Sequence, residues 1–273
     1  MNKQRENENF PYQDLTGRDV ASVRSEIRSG NYRDHTAGLA AGKLQVNLAI
    51  LPADLAADFE AFCRKNPQPC PLVGMTEPGN PHWPALGEID VRTDTPSYNI
   101  YRDGTLIESV PDLNEVWRDD LVAFAIGCSF TFETALIAAG VPMAHINADK
   151  TVPMYRTTIE TVPAGPFDCG MVVSLRYVSP EQVDLAREIT ARFPWAHGAP
   201  VHIGDPAEIG IKDVQTPDWG DPPVTTDGVP MFWACGVTPQ NALAEARPPI
   251  CITHTPGRML ITDIDDQTNS FIA

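Results

Sequence analysis

Twice in this chain an unbroken apolar run stops at a tight, cysteine-bearing turn and resumes as a helix: "LVAFAIGCSFTFETAL" at 121–136 and "VPMFWACGVTPQNAL" at 229–243. A short apolar run without polar alternation suits a strand covered on both faces. Covered strands need helices or a second sheet packed on them, which restricts the chain to layered folds. "GMVVSLRYVS" and "ICITHTPGRMLITDI" add further strands. "IDVRTDTPSYNIYRDGTLIESV" alternates around Asp103-Gly104, a strong hairpin signal.

Helical spacing appears between these runs. Val20, Val23 and Ile27 share one face, and Gly30 follows as a stop. Residues 37–51 carry an apolar, alanine-rich face that reads as a second helix. Pro52 opens a third, with Leu55, Phe59 and Phe62 on one side, which ends before the proline-rich "NPQPCPL". The first third therefore reads as mostly helical. "TFETALIAAG", closed by Gly140, and "EQVDLAREITARF", opened by Pro180, supply two more helices. The expected fold class is α/β with two interleaved lobes: a three-layer mixed-sheet α/β lobe and a smaller β-rich α+β lobe. Residues 1–75, 117–150 and 194–273 are expected in the main lobe, and 76–116 with 151–193 in the smaller one.

With 36 acidic against 20 basic residues, the net charge of −16 repels phosphate backbones and anionic lipid heads. Nucleic acid and membrane surfaces are not expected partners; a small carboxylic or amino acid is, since a few arginines can reverse the field in one cleft. The polar start "MNKQRENENFPYQDL" has no apolar core of a signal peptide, and the apolar runs are too short to span a bilayer. A cytoplasmic location is expected. Cysteines 63, 70, 128, 169, 235 and 251 form no CxxC pair and read as reduced, mostly buried thiols.

In layered α/β folds, ligands gather where strand ends meet loops and helix N-termini. Four segments place reactive groups there: Cys128-Ser129, His202 with Asp205, Cys235 with Thr238, and Thr253-His254. Ser129, Thr131 and Thr238 serve equally well as helix caps. Cys128 and Cys235 serve equally well as packing residues. Glu133 reads either as part of a capping box or as a carboxylate in the cleft. "HGAPVHIGDPAEIGI" brings His197 and His202 close in sequence to Asp205 and Glu208, suited to proton transfer or to a metal. Arg92, Arg156 and Arg176 lie in apolar or strand-like surroundings, where each needs a carboxylate from a substrate or from the protein itself.

Long motifs carry a resemblance. "RSGNYRDHTAGLAAGKLQVNLAILP", "DFEAFCRKNPQPCPL", "IDVRTDTPSYNIYRDG", "WRDDLVAFAIGCSFTFETAL", "VPMYRT", "HGAPVHIGDPAEIGI", "VPMFWACGVTPQNAL" and "THTPGRMLITDI" resemble the D-glutamate cyclase family, also described as YcsI-like or hydro-lyase proteins. The similarity runs from about Arg24 to Ile264, with departures at Gln68, Thr131 and Leu175. It implies a two-lobed α/β fold and a dehydration in which D-glutamate closes to 5-oxo-D-proline. That chemistry must hold two carboxylates, stabilise an oxyanion and protonate a departing oxygen. From chemistry and position, His202 is assigned the proton, with Asp205 orienting it. Ser129 and Cys128 at one turn belong to the catalytic set; Cys235 and Thr238 at the other, His254, Arg92 and Arg156 are assigned to substrate.

The first function expected is thus a cofactor-free carbon–oxygen lyase. The alternatives are a metal-dependent hydrolase or hydratase built on His197, His202 and Asp205, and a non-catalytic carboxylate-binding protein. Neither GxGxxG nor GxxxxGK[ST] occurs, which argues against nucleotide binding. A symmetric homo-oligomer is the default for a chain of this size.

Overall fold

The structure is a computed structural model that describes residues 11–148 and 150–266. Most of the polar N-terminal stretch read above lies outside the described residues. The chain begins with α1 (Tyr12–Leu15) and α2 (Val20–Arg28), the latter capped by Asp19, whose carboxylate accepts from the Ser22 N–H. There follow β1 (Lys43–Pro52), α3 (Ala53–Lys65), β2 (Leu72–Met75), β3 (Tyr98–Arg102), β4 (Thr105–Val110), β5 (Leu121–Gly127), α4 (Phe130–Ala138) and α5 (Ala144–Asn147). The remainder is β6 (Met154–Glu160), β7 (Gly170–Val178), α6 (Val183–Thr190), β8 (His202–Ile203), β9 (Val229–Ala234), α7 (Val237–Ala246), β10 (Cys251–His254) and β11 (Leu260–Asp265).

The strands form two sheets, one of seven strands in the order β2-β5-β1-β10-β3-β4 with β11 also on β1, and one of four in the order β6-β7-β9-β8. This is the two-lobed α/β architecture expected from the sequence. Every pairing among the described strands is antiparallel, where mixed sheets were expected. The Asp103-Gly104 hairpin forms, with φ of +49° and +78° at the two turn residues. It extends the larger sheet through β10 instead of joining the smaller lobe, and β8 and β9 pair with β6 and β7 instead of the main lobe. Strand pairing is decided by which apolar faces meet, and chain proximity alone does not reveal that.

The helix expected over 37–51 is instead the central strand β1. Leu44, Val46, Leu48 and Ile50 enter one core with Leu121, Ala123, Ile252 and Leu260, while Ala49 and Leu51 enter the core on the opposite face. Both faces are covered, so polar alternation is muted, and Leu44, Leu48 and Leu51 fall at helical spacing by coincidence. On the second face Phe59 and Phe62 of α3 meet Phe124 and Phe167; Phe59 packs edge-on against Phe124 and Phe167, at 5.0 Å and 5.1 Å between ring centroids. Truncating such a ring costs about 3–5 kcal/mol.

The smaller sheet is also covered on both sides. Val178, Met231 and Trp233 pack on Phe132 and Leu136 of α4 and Ala186 of α6, while Val173, Leu175 and Phe232 pack on Ile209 and Ile211. Helix α7 joins the lobes: Ala242 and Leu243 enter the core of the larger sheet, and Thr238 is tied to β7. Among the described residues no helix is long and apolar enough to cross a membrane.

Candidate functional site

The two strand-to-helix turns meet across β1. β5 ends at Gly127, whose carbonyl accepts from the Asn47 side-chain amide at 3.0 Å; the Ile126 carbonyl accepts from it at 3.4 Å. β9 ends just before Cys235-Gly236, and a Cβ at position 236 would stand 2.5 Å from Asn47 Nδ2. Gly127 itself abuts the Trp195 carbonyl with no room for a side chain, which draws the short 3-10 turn Pro194–Ala196 against the first turn. Glycine is needed at both places because backbone or a fixed amide fills the space of the missing Cβ.

A buried polar centre lies beside these turns. Arg176 on β7 is 4% exposed and shares a sheet face with Ser174 and Trp233. Its Nε donates to Glu133 Oε1 at 2.9 Å, and Nη2 makes a very short contact to the same oxygen. Nη2 also donates to Ser129 Oγ at 3.3 Å, and Nη1 to Ser174 Oγ at 2.8 Å. The guanidinium lies over Phe132 and Trp233 at 5.0 Å and 5.4 Å. His145 Nε2 stands 3.2 Å from Glu133 Oε1. Burial by itself would raise the Glu133 carboxyl, but the Arg176 charge and the hydrogen bond from His145 outweigh it and hold the pKa at about 2. The arginine is therefore fixed in a dry setting by a permanently ionised partner.

His197 follows the Pro194–Ala196 turn that abuts Gly127. It has φ +74°, is 1% exposed, and its Nδ1–H donates to the Gln68 carbonyl at 2.9 Å. Nε2 is buried and finds no hydrogen-bond partner among the described residues. Burial pushes the imidazole down to about 4, and the nearby Arg176 charge adds to the effect. Thr131 Oγ1, in the first turn of α4, is likewise buried without a partner. Buried polar atoms without a partner are costly in free energy. Together these groups offer a fixed cation, a hydroxyl and a neutral ring nitrogen with a bare lone pair, suited to an anionic substrate and a developing oxyanion.

The other residues singled out from the sequence fall elsewhere. The His202 ring packs on Phe232, 5.7 Å between centroids, on the sheet face opposite Trp233 and Arg176. Its Nε2 bonds the Asp205 backbone carbonyl at 2.8 Å, whereas the Asp205 carboxylate caps the 3-10 turn Pro206–Ile209 through Ala207 N. The carboxylate thus does not orient the ring as expected. Among the described residues no three His, Cys, Asp or Glu side chains gather as metal ligands, so the His197/His202/Asp205 grouping does not assemble. Arg92 is held by Asp90 through contacts of 2.6 Å to 3.2 Å. Thr238 is fully buried, its hydroxyl clamped between the N–H and carbonyl of Val172.

Burial raises the Cys235 thiol to about 11, and its Sγ contacts Met154 Sδ at 3.4 Å. A thiol that stays protonated at neutral pH is a packing group. His254 is buried, accepts from the Leu48 N–H at 3.2 Å and is pushed down to about 4 by burial. Cys128 is partly exposed and forms no disulfide. Ser129 stays in the centre through Arg176, and Glu133, read as part of a capping box or as a carboxylate in the cleft, is buried in an ion pair with Arg176. Arg156 lines a cavity beside α7 that shares no lining residue with the Arg176 centre.

A family model described as D-glutamate cyclase matches residues 122–263, more than half of the chain and both strand-to-helix turns. The chain belongs to the D-glutamate cyclase family. A protein named "Putative hydro-lyase" from Dinoroseobacter shibae is 59% identical over 257 residues, 93% of this chain and 86% of that one. Another of that name from Ruegeria pomeroyi is 58% identical over 255 residues, 93% of each chain. A solved nitrogen repressor-like protein from Methanococcus jannaschii overlays at a TM-score of 0.38 and 13% identity, covering 85% of this chain and 91% of that one, a likeness too slight to carry an argument.

Within this cyclase-family chain, the sequence reading passed over Asn47, His145 and Ser174 and gave Arg176 no role of its own. The available signal was the arginine inside "MVVSLRYV": a cation in a buried strand requires a buried anion, and Glu133 stands in the motif already marked.

Proposed function

We propose that this chain is a hydro-lyase that removes water from a small amino or hydroxy carboxylic acid at the Arg176 centre, and that D-glutamate is the substrate, closing to 5-oxo-D-proline. The observation that carries the reading is the buried Arg176, locked by Glu133 and Ser174 and touching Ser129; the unpartnered His197 Nε2 is assigned to it as the proton carrier. Family membership and the hydro-lyase names of the relatives support it.

The reaction joins the amine nitrogen to the side-chain carboxyl carbon and breaks one carbon–oxygen bond. Two protons leave the ammonium group and depart with that oxygen as water. Arg176 and the Ser129 hydroxyl stabilise the tetrahedral oxyanion, and Glu133 keeps the guanidinium from swinging away. His197 Nε2 takes the two ammonium protons in turn and delivers each to the leaving oxygen, which departs as water. A bound carboxylate supplies the negative neighbour that raises the imidazole from its resting value toward neutrality.

The test is incubation of the purified protein with D-glutamate, L-glutamate and a panel of 2-hydroxy acids, with chiral chromatography of the products. Formation of 5-oxo-D-proline, slowed roughly 100- to 1000-fold by Arg176→Lys, is expected. Absence of product from D-glutamate alone removes that substrate; absence of water loss across the panel removes the lyase reading.

A further inference from the structure

We propose that the chain holds a second small-molecule site, a cavity for a monocarboxylate with a compact apolar body, beside α7, none of whose lining residues belongs to the Arg176 centre. The cavity has a volume of about 260 Å³ and lies between α7 and the sheet face carrying Tyr101, Cys251 and Thr253. Val237, Leu243 and Ala244 of α7 form an apolar wall, and Trp219 and Arg156 close the remaining side.

Arg156 sets the ligand class. Its guanidinium lies over the Trp219 ring at 4.9 Å, and none of its side-chain N–H groups hydrogen-bonds a described residue. Asp218 and Glu245 stand off at 3.6 Å and 3.9 Å. Arg92 and Arg118 show the contrast: each grips a neighbouring aspartate at 2.6 Å and 2.7 Å respectively. An arginine pre-oriented by an aromatic ring and only loosely ion-paired with two carboxylates keeps its N–H groups for a ligand carboxylate that approaches through two parallel hydrogen bonds.

The two standing-off carboxylates and the charge of −16 oppose a dianion, so a single negative charge fits best. Tyr101 and Gln240 also line the cavity and bring a hydroxyl and an amide for one further oxygen on the ligand. The rest of the wall is hydrocarbon from Val237, Leu243, Ala244 and Trp219 together with Asn241 and Thr253, whose side chains already donate to Glu245 and to the His254 carbonyl. A branched or aromatic 2-oxo or 2-hydroxy monocarboxylate satisfies all three features. Glutamate, with two carboxylates and no apolar body, does not.

The probe is 3-phenyllactate, titrated by calorimetry into the full chain, with glutarate as the dianionic comparison. Saturable binding is expected, with glutarate weaker by roughly tenfold or more. Arg156→Gln, at an exposed side chain, and Ala244→Leu, which fills the cavity from α7, should each weaken 3-phenyllactate about tenfold or more with an unchanged melting temperature. Arg176→Lys should leave the affinity as it is, which separates this site from the proposed catalytic one. No saturable binding, binding indifferent to both Arg156→Gln and Ala244→Leu, or binding lost with Arg176→Lys each overturns the proposal.

Discussion

Gly236 packs so tightly on the Asn47 amide that position 236 has no space for a methyl group, and the same amide donates to Gly127 of the other turn. The sheet and the two helices that leave it are thereby set by one side chain. At 236 the backbone is in the ordinary helical region, φ −63°, so the demand for glycine there is steric and not conformational.

Gly236→Ala should therefore destabilise the protein by about 1–3 kcal/mol through overpacking. Asn47→Ala added to it should return part of that loss, because the clash partner is gone. Urea unfolding of the two single variants and the double variant measures the coupling, and strict additivity would falsify the contact as its cause.

Glu133→Gln leaves the Arg176 guanidinium buried without its counter-charge. Breaking a buried pair this way costs about 3–5 kcal/mol. The Glu133 pKa is depressed on folding, from 4.5 to about 2, so its contribution is complete above pH 4.5 and is lost as pH falls toward 2. Unfolding free energy measured against pH should drop more steeply across that window in the parent protein than in Glu133→Gln.

His197 and His254 titrate near 4 in the fold against 6.5 ordinarily, since burial disfavours the imidazolium. The unfolded chain then binds more protons between pH 6.5 and 4, and stability falls as pH drops through that range. NMR of the six histidines should show two rings still neutral at pH 5. If all six titrate at 6 or above, the buried environment assigned to these two is wrong.

His202 and His197 separate two accounts of catalysis. His202→Asn should leave turnover within about twofold, because its ring lies across the sheet from Arg176. His197→Gln should slow it by about 100-fold or more, the usual scale for a lost proton-transfer group. Steady-state assays of both variants decide, and the reverse pattern returns the proton to His202.

Much of the secondary structure was legible in the sequence. Val20, Val23 and Ile27 marked α2, Pro52 and Pro180 marked the approaches to α3 and α6, and Asp103-Gly104 marked the β3–β4 hairpin. β1 was not, because a strand covered on both faces loses the period-two pattern that distinguishes it from a helix. At the site, the turns at 128–129 and 235–236 were visible as local motifs. The Glu133–Arg176 pair was not: its members are 43 residues apart, and nothing local to either one names the other. His202 and Asp205 drew attention because they are adjacent in sequence, yet the sheet turns them toward a separate face.

β1 occupies residues 43–52, and its three neighbours are supplied from 121–127, 251–254 and 260–265. As the ribosome releases this chain, β1 waits through about 200 further residues before its last neighbour exists. Such long-range closure makes folding slow and leaves a sticky edge open meanwhile. A circular permutant that starts near residue 250, which puts β10 and β11 ahead of β1, should therefore give a higher soluble yield.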